Sequence, residues 1–172
     1  IKKKLKNIGA KFVKREKQID RVFGHPMFLD GDMMIVEGGL SARIRESDDG
    51  ICLEFKEIAR QKGAGLEISS KLGDVKTGLE FFKKLKFEEA FTIAKTREVF
   101  SYQGFEICLD KVRKLGNFIE IEKIIHSAKD KIKTKKTCLA LLKKLTPQAK
   151  IEPRKYGDLM QDIINKKRNE TK

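Results

Sequence analysis

Seven segments of this chain alternate polar with apolar residues between turn signals, and that period of two constrains the fold to an antiparallel sheet. The segments run from Ala10 to Phe23, Ser41 to Glu46, Ile51 to Ile58, Leu66 to Lys71, Phe91 to Tyr102, Phe105 to Val112 and Asn117 to Ile125. Asp49-Gly50, Gln103-Gly104 and Leu115-Gly116 are the hairpin turns between them. Helical spacing appears elsewhere. Ile1, Leu5 and Ile8 precede Gly9, and Asp74 opens a helix whose inner face is expected to be Val75, Leu79, Phe82 and Leu85. Ser127 and Asp130 resemble a capping box ahead of Ile132, Leu139, Leu142 and Leu145, and Pro147 ends that helix. Tyr156, Leu159, Met160, Ile163 and Ile164 form a closing apolar stripe, with a basic, frayed tail from about residue 166. The expected class is α+β, and 172 residues fit one domain.

Strand parity also sorts the charges. Arg43 and Arg45 share a face opposite Ala42 and Ile44, and Cys52, Glu54 and Lys56 oppose Ile51, Leu53 and Phe55. Lys95 lies with Arg97, Glu106 with Cys108 and Asp110, and Phe118 with Glu120 and Glu122. For one strand this is the ordinary wet face of a half-buried sheet. For the whole set, closure into a barrel would turn the charged faces inward and leave helices to cover the apolar ones. A lumen with basic and acidic walls needs compensation, which a polyphosphate and a divalent cation would supply: Arg and Lys for phosphate, carboxylates for Mg²⁺ or Mn²⁺.

The 39 Lys and Arg exceed the 25 Asp and Glu by 14. A nucleic-acid-binding module is therefore a rival from another class. Few aromatics on the strands and several acids in the candidate site stand against it as the main function, and solvated helix surface accounts for the lysine runs. No apolar run approaches the length of a membrane span. Cys52, Cys108 and Cys138 form no paired spacing, which fits a reducing cytoplasm. His25 and His126 read as turn and cap residues. Ile1 is not an initiator, so the chain is expected to begin inside a longer product.

Several stretches, in order, resemble the CYTH superfamily, which includes class IV adenylyl cyclases and thiamine or inorganic triphosphatases. They are Ala42-Arg43-Ile44-Arg45, Leu53 to Lys56, Lys95-Thr96-Arg97, Leu109-Asp110-Lys111-Val112, Leu115-Gly116-Asn117-Phe118 and Glu120-Ile121-Glu122. Pro153-Arg154-Lys155-Tyr156 also looks like an element of class IV cyclases. The resemblance implies an antiparallel, eight-stranded closed β-barrel flanked by helices, the triphosphate tunnel. It implies Arg43, Arg45, Lys56, Lys95, Arg97 and Arg154 as phosphate ligands, and Glu120 and Glu122 as metal ligands with Glu67 and Asp110 as acidic support. Glu120, Glu122 and Lys95 would be the catalytic set. The family usually opens with a Glu-x-Glu-x-Lys strand, which this chain does not show; a first strand outside the chain is favoured over a degenerate site. Ser69 stands where triphosphatases often have a second acid, which leans toward the cyclase branch.

The leading expectation is thus conversion of ATP to cyclic AMP and pyrophosphate, with Mg²⁺ or Mn²⁺ as cofactor. The alternative is hydrolysis of tripolyphosphate, thiamine triphosphate or a nucleoside triphosphate by the same electrostatics. Neither reaction needs a nucleophilic side chain. The expected partners are a polyphosphate and a divalent metal, with a homodimer left open.

Overall fold

The computed structural model describes residues 1–31, 34–36, 38–57, 67–125 and 127–170. Its strands are β1 (Lys11–Gly24), β2 (Leu40–Ser47), β3 (Gly50–Glu57), β4 (Glu67–Leu72), β5 (Glu88–Tyr102), β6 (Phe105–Val112) and β7 (Gly116–Glu122). Its helices are α1 (Lys2–Asn7), α2 (Val75–Lys84), α3 (Lys131–Leu145) and α4 (Tyr156–Glu170). The seven alternating segments are the seven strands, shifted by one to three residues at their ends. Ile58, Leu66 and His126 lie outside the described residues.

The strands make one antiparallel sheet in the order β4-β3-β2-β1-β5-β6-β7. Among the described residues the sheet is not closed by hydrogen bonds, so the expected closed eight-stranded barrel is not supported. Among the described residues there are seven strands, and β4 and β7 stand at opposite ends of the order without pairing to each other. Closure requires a hydrogen-bonded neighbour on both edges of every strand. Five of the six residues of β4 are exposed, so that edge buries little apolar surface that would drive a further pairing.

The chain divides into two compact units. One comprises Ile1–Glu16 and Thr96–Pro153, the other Lys17–Lys95 and Arg154–Lys172. In the first, Leu5 of α1 meets Phe100, Phe105, Ile107, Leu141 and Leu145, all buried. The β5–β6 turn is tight because Gln103 and Gly104 are both left-handed, with φ of 48° and 74°. Ile132 does not join this core: it is 71 % exposed, because the inner stripe of α3 runs through Cys138, Leu141 and Leu145 instead.

In the second unit Phe82 of α2 packs on Phe23, Ala42 and Ile44. Asp74 caps α2 by accepting the Thr77 N–H at 2.8 Å. Gly78 permits the close approach, since a Cβ there would lie 2.6 Å from Leu72 Cδ2 and 2.8 Å from Ile44 Cδ1. Leu85 is the C-cap and 45 % exposed, so it leaves the inner face proposed for it.

The excess charge is uneven. The first unit holds 20 Lys and Arg against 8 Asp and Glu, and the second 19 against 17. Nearly all the positive excess therefore lies in the first unit, where every lysine of α1 and α3 is exposed. No helix among the described residues is long and apolar enough to cross a membrane.

Candidate functional site

In the second unit the apolar side of β2, Ala42 and Ile44, is buried against α2, which sends Arg43 and Arg45 to the other face. Register then decides what they meet. Arg45 is opposite Asp20 of β1, and Arg43 is opposite Glu54 of β3. Arg45 donates from Nε to Asp20 Oδ1 at 2.6 Å and from Nη2 to Oδ2 at 2.7 Å, a bidentate fork. Arg43 donates from Nε to Glu54 Oε2 at 2.6 Å and reaches Asp20 Oδ2 from Nη1 at 3.4 Å.

Asp20 is 3 % exposed. Burial works against its charge, yet the hydrogen bonds and charge of Arg45, with Arg43 and Lys95 behind, hold its carboxyl below the usual carboxylate range. Arg45 is raised in turn: burial opposes its charge and Asp20 overcomes the opposition.

Lys56 and Glu67 are register partners across β3 and β4 and form an exposed ion pair. The Lys56 hydrogen bond lowers the Glu67 carboxyl. Ser69 sits opposite Glu54, where a second acid would set like charges face to face. Lys95 is 8 % exposed, with its Nζ 5.2 Å from the centre of the Tyr156 ring. Arg154 Nη1 donates to Asp162 Oδ2 at 2.6 Å, between two half-exposed side chains. Its neighbour Lys155 feels the site: burial and the like charge of Lys56 lower its ammonium.

In the first unit Ile119 and Ile121 of β7 pack on the core, so Phe118, Glu120 and Glu122 take the opposite face. Arg97 donates from Nε to Asp110 Oδ1 at 2.8 Å and from Nη2 to Asp110 Oδ2 at 2.6 Å, and it also hydrogen-bonds Glu120. Burial opposes the Arg97 charge, but Asp110 and Glu120 raise its basicity strongly. Glu122, at the exposed end of β7, is opposite Glu106. Cys108 is fully buried and opposite Glu120, and burial pushes its thiol up to about 12.

The expected metal ligands can be tested on this arrangement. Among the described residues no three Asp, Glu, His or Cys side chains gather to cage an ion. Glu120 and Glu122 on one strand face supply a pair of hard oxygen donors, which suits Mg²⁺ when phosphate oxygens and waters complete its octahedron. The residues fit a cation shared with a phosphate rather than a dedicated protein cage.

Asp20, Gln18 and Glu16, all buried, were not singled out by parity. From Lys14 to Arg21 both faces of β1 are largely polar, so alternation gives no inner side. The signal that finds Asp20 is its register with Arg45.

Comparison with known proteins agrees with this architecture. The family model described as "CYTH domain" matches residues 1–156. A Methanocaldococcus jannaschii protein named "Putative adenylate cyclase MJ0240" is 32% identical over 147 residues, covering 84% of this chain and 81% of that protein. The solved structure of PH1819 protein from Pyrococcus horikoshii has a TM-score of 0.75 at 25% identity and covers 93% of this chain and 91% of its own. A structure titled "putative adenylate cyclase" from Vibrio parahaemolyticus shares the fold, with a TM-score of 0.73 at 17% identity over 92% of this chain and 88% of that one.

Proposed function

The chain belongs to the CYTH domain family, and from that premise we propose that it is a metal-dependent enzyme acting on triphosphates, with ATP cyclisation to cyclic AMP and pyrophosphate as its reaction. The observation that carries the reading is the set of arginines aimed by carboxylates: Arg45 on Asp20, Arg43 on Glu54, and Arg97 on Asp110 and Glu120. A guanidinium has five donors, and a carboxylate that takes part of the fork fixes its plane while leaving donors for phosphate oxygens.

In this reading Arg43, Arg45, Lys56, Lys95 and Arg97 bind the phosphates, and Glu120 and Glu122 hold Mg²⁺ or Mn²⁺. When bound, the cation supplies charge neutralisation at the phosphates and acidifies the ribose 3′-hydroxyl. The 3′-oxygen forms the new bond to the α-phosphorus, the bond from that phosphorus to the α–β bridging oxygen breaks, pyrophosphate leaves with its electron pair, and the hydroxyl proton passes to solvent water. The side chains orient the triphosphate and stabilise charge on its oxygens, so no covalent intermediate on the protein is required. Asp110 and Asp20 serve as positioning residues for Arg97 and Arg45. The name of the M. jannaschii relative supports the cyclase branch.

Incubation of the protein with ATP and Mg²⁺ or Mn²⁺, with products resolved by chromatography, tests the reading. Cyclic AMP with equimolar pyrophosphate supports it. ADP and phosphate, or cleavage of tripolyphosphate or thiamine triphosphate alone, assigns the chain to the triphosphatase branch.

A further inference from the structure

Lys95 poses a physical problem. An ammonium on a flexible four-carbon stem is strongly hydrated in water, yet this one is 8 % exposed on β5. Asp20 supplies opposite charge, since Lys95 contributes to lowering that carboxyl. The second feature is aromatic: the Tyr156 ring centre lies 5.2 Å from Lys95 Nζ, within the range over which a ring's negative face attracts a cation.

The ring is held in place by the way α4 begins. Lys155 donates its N–H to Asp158 Oδ2 at 3.0 Å, and the Leu159 N–H donates to Lys155 O at 3.2 Å, closing the first turn. The helix lies close on β5 here, for a Cβ added at Gly157 would stand 3.5 Å from Phe91 Cζ. Met160 and Gln161 one turn on are each 4 % exposed, so the start of α4 is anchored by burial. Arg154, two residues before the ring, donates to Asp162 Oδ2. From Pro153-Arg154-Lys155-Tyr156 the tyrosine ring reaches Lys95 on β5.

We propose that Tyr156 is a positioning residue for Lys95, its aromatic face holding the ammonium in place before the triphosphate arrives. The inference rests on the reading of Lys95 as a phosphate ligand. A lysine already confined loses little rotamer freedom when it meets phosphate, so the ring contributes to affinity without touching the substrate.

The test replaces Tyr156 by phenylalanine and by a series of phenylalanines carrying increasing numbers of ring fluorines. These keep the ring's shape while draining its negative face. Tripolyphosphate affinity with Mg²⁺ is measured by calorimetry, beside Lys95→Ala and Tyr156→Leu. Tyr156→Phe should match wild type, affinity should fall stepwise with fluorine number to about tenfold, and Tyr156→Leu should fall as far or further. A fluorine series with flat affinity, or failure of Tyr156→Phe to match wild type, overturns the proposal. A flat series with loss of affinity in Lys95→Ala overturns it alone. Unchanged affinity in Lys95→Ala overturns the assignment of Lys95 on which it depends.

Discussion

Arg45 and Asp20 are partners across β1 and β2, and their side chains close a two-pronged ion pair at 2.6 and 2.7 Å. The pair makes Asp20 the structural anchor of the basic face of β2, because the same carboxylate also reaches Arg43. An arginine held in this way is ready for a second anion at its remaining donors.

Asp20→Ala should therefore cost about 3 kcal/mol, since it leaves Arg45 largely buried and without its bidentate acceptor. Urea denaturation at neutral pH measures the loss. The pH dependence carries a second signature. The folded-state pKa of Asp20 lies below its ordinary value, so its stabilisation is fully present above about pH 4 and is lost as pH falls through the depressed folded value. Wild type should show this acid limb, and Asp20→Ala should show a shallower one.

Arg45→Ala and Glu122→Gln should each lower metal-dependent turnover by at least about 100-fold while the circular dichroism spectrum stays native. Retention of activity by both variants would remove these residues from the site.

Cys108 should resist a thiol-specific reagent at pH 8. It is fully buried and its thiol is raised to about 12, whereas Cys52 and Cys138 are only partly buried. Peptide mapping after brief labelling should find modification at Cys52 or Cys138 well before Cys108. Equal labelling would contradict the packing of β6.

Gly78→Ala should destabilise the second unit by roughly 1 kcal/mol or more, despite the better helix propensity of alanine. The added methyl would stand 2.6 Å from Leu72 Cδ2. A melting temperature equal to or above that of wild type would show that α2 can move off the sheet at no cost.

The strands were legible in the sequence because their period of two survives wherever one face is apolar, as at Ala42 and Ile44 or at Ile119 and Ile121. The same parity put Arg43, Arg45, Glu120 and Glu122 on the faces where they are found. Other features depend on register, which alternation does not encode. The Arg45–Asp20 and Arg43–Glu54 pairs, and the Glu106–Glu122 juxtaposition, follow from which strands neighbour each other and by what offset. Register sets Arg45 beside Asp20 and Arg43 beside Glu54, so acids and bases alternate across neighbouring strands. Barrel closure, expected both from the charged faces and from the family resemblance, depends on edge pairing that alternation does not encode, and among the described residues the strand order leaves β4 and β7 unjoined. The Pro153-Arg154-Lys155-Tyr156 motif does not encode its tertiary partners: Arg154 donates to Asp162, and the Tyr156 ring lies beside Lys95. The +14 balance suggested a polyanion partner, but the excess sits in the unit of α1 and α3 and is nearly absent around Arg43 and Arg45.

The most direct test of the account is a substrate panel with the full chain: ATP, tripolyphosphate and thiamine triphosphate, each with Mg²⁺, with Mn²⁺ and with a chelator. The account predicts metal-dependent release of cyclic AMP and pyrophosphate from ATP, abolished by the chelator. Absence of metal-dependent turnover of any triphosphate, together with salt-sensitive binding to duplex DNA, would contradict it and identify a nucleic-acid-binding module instead.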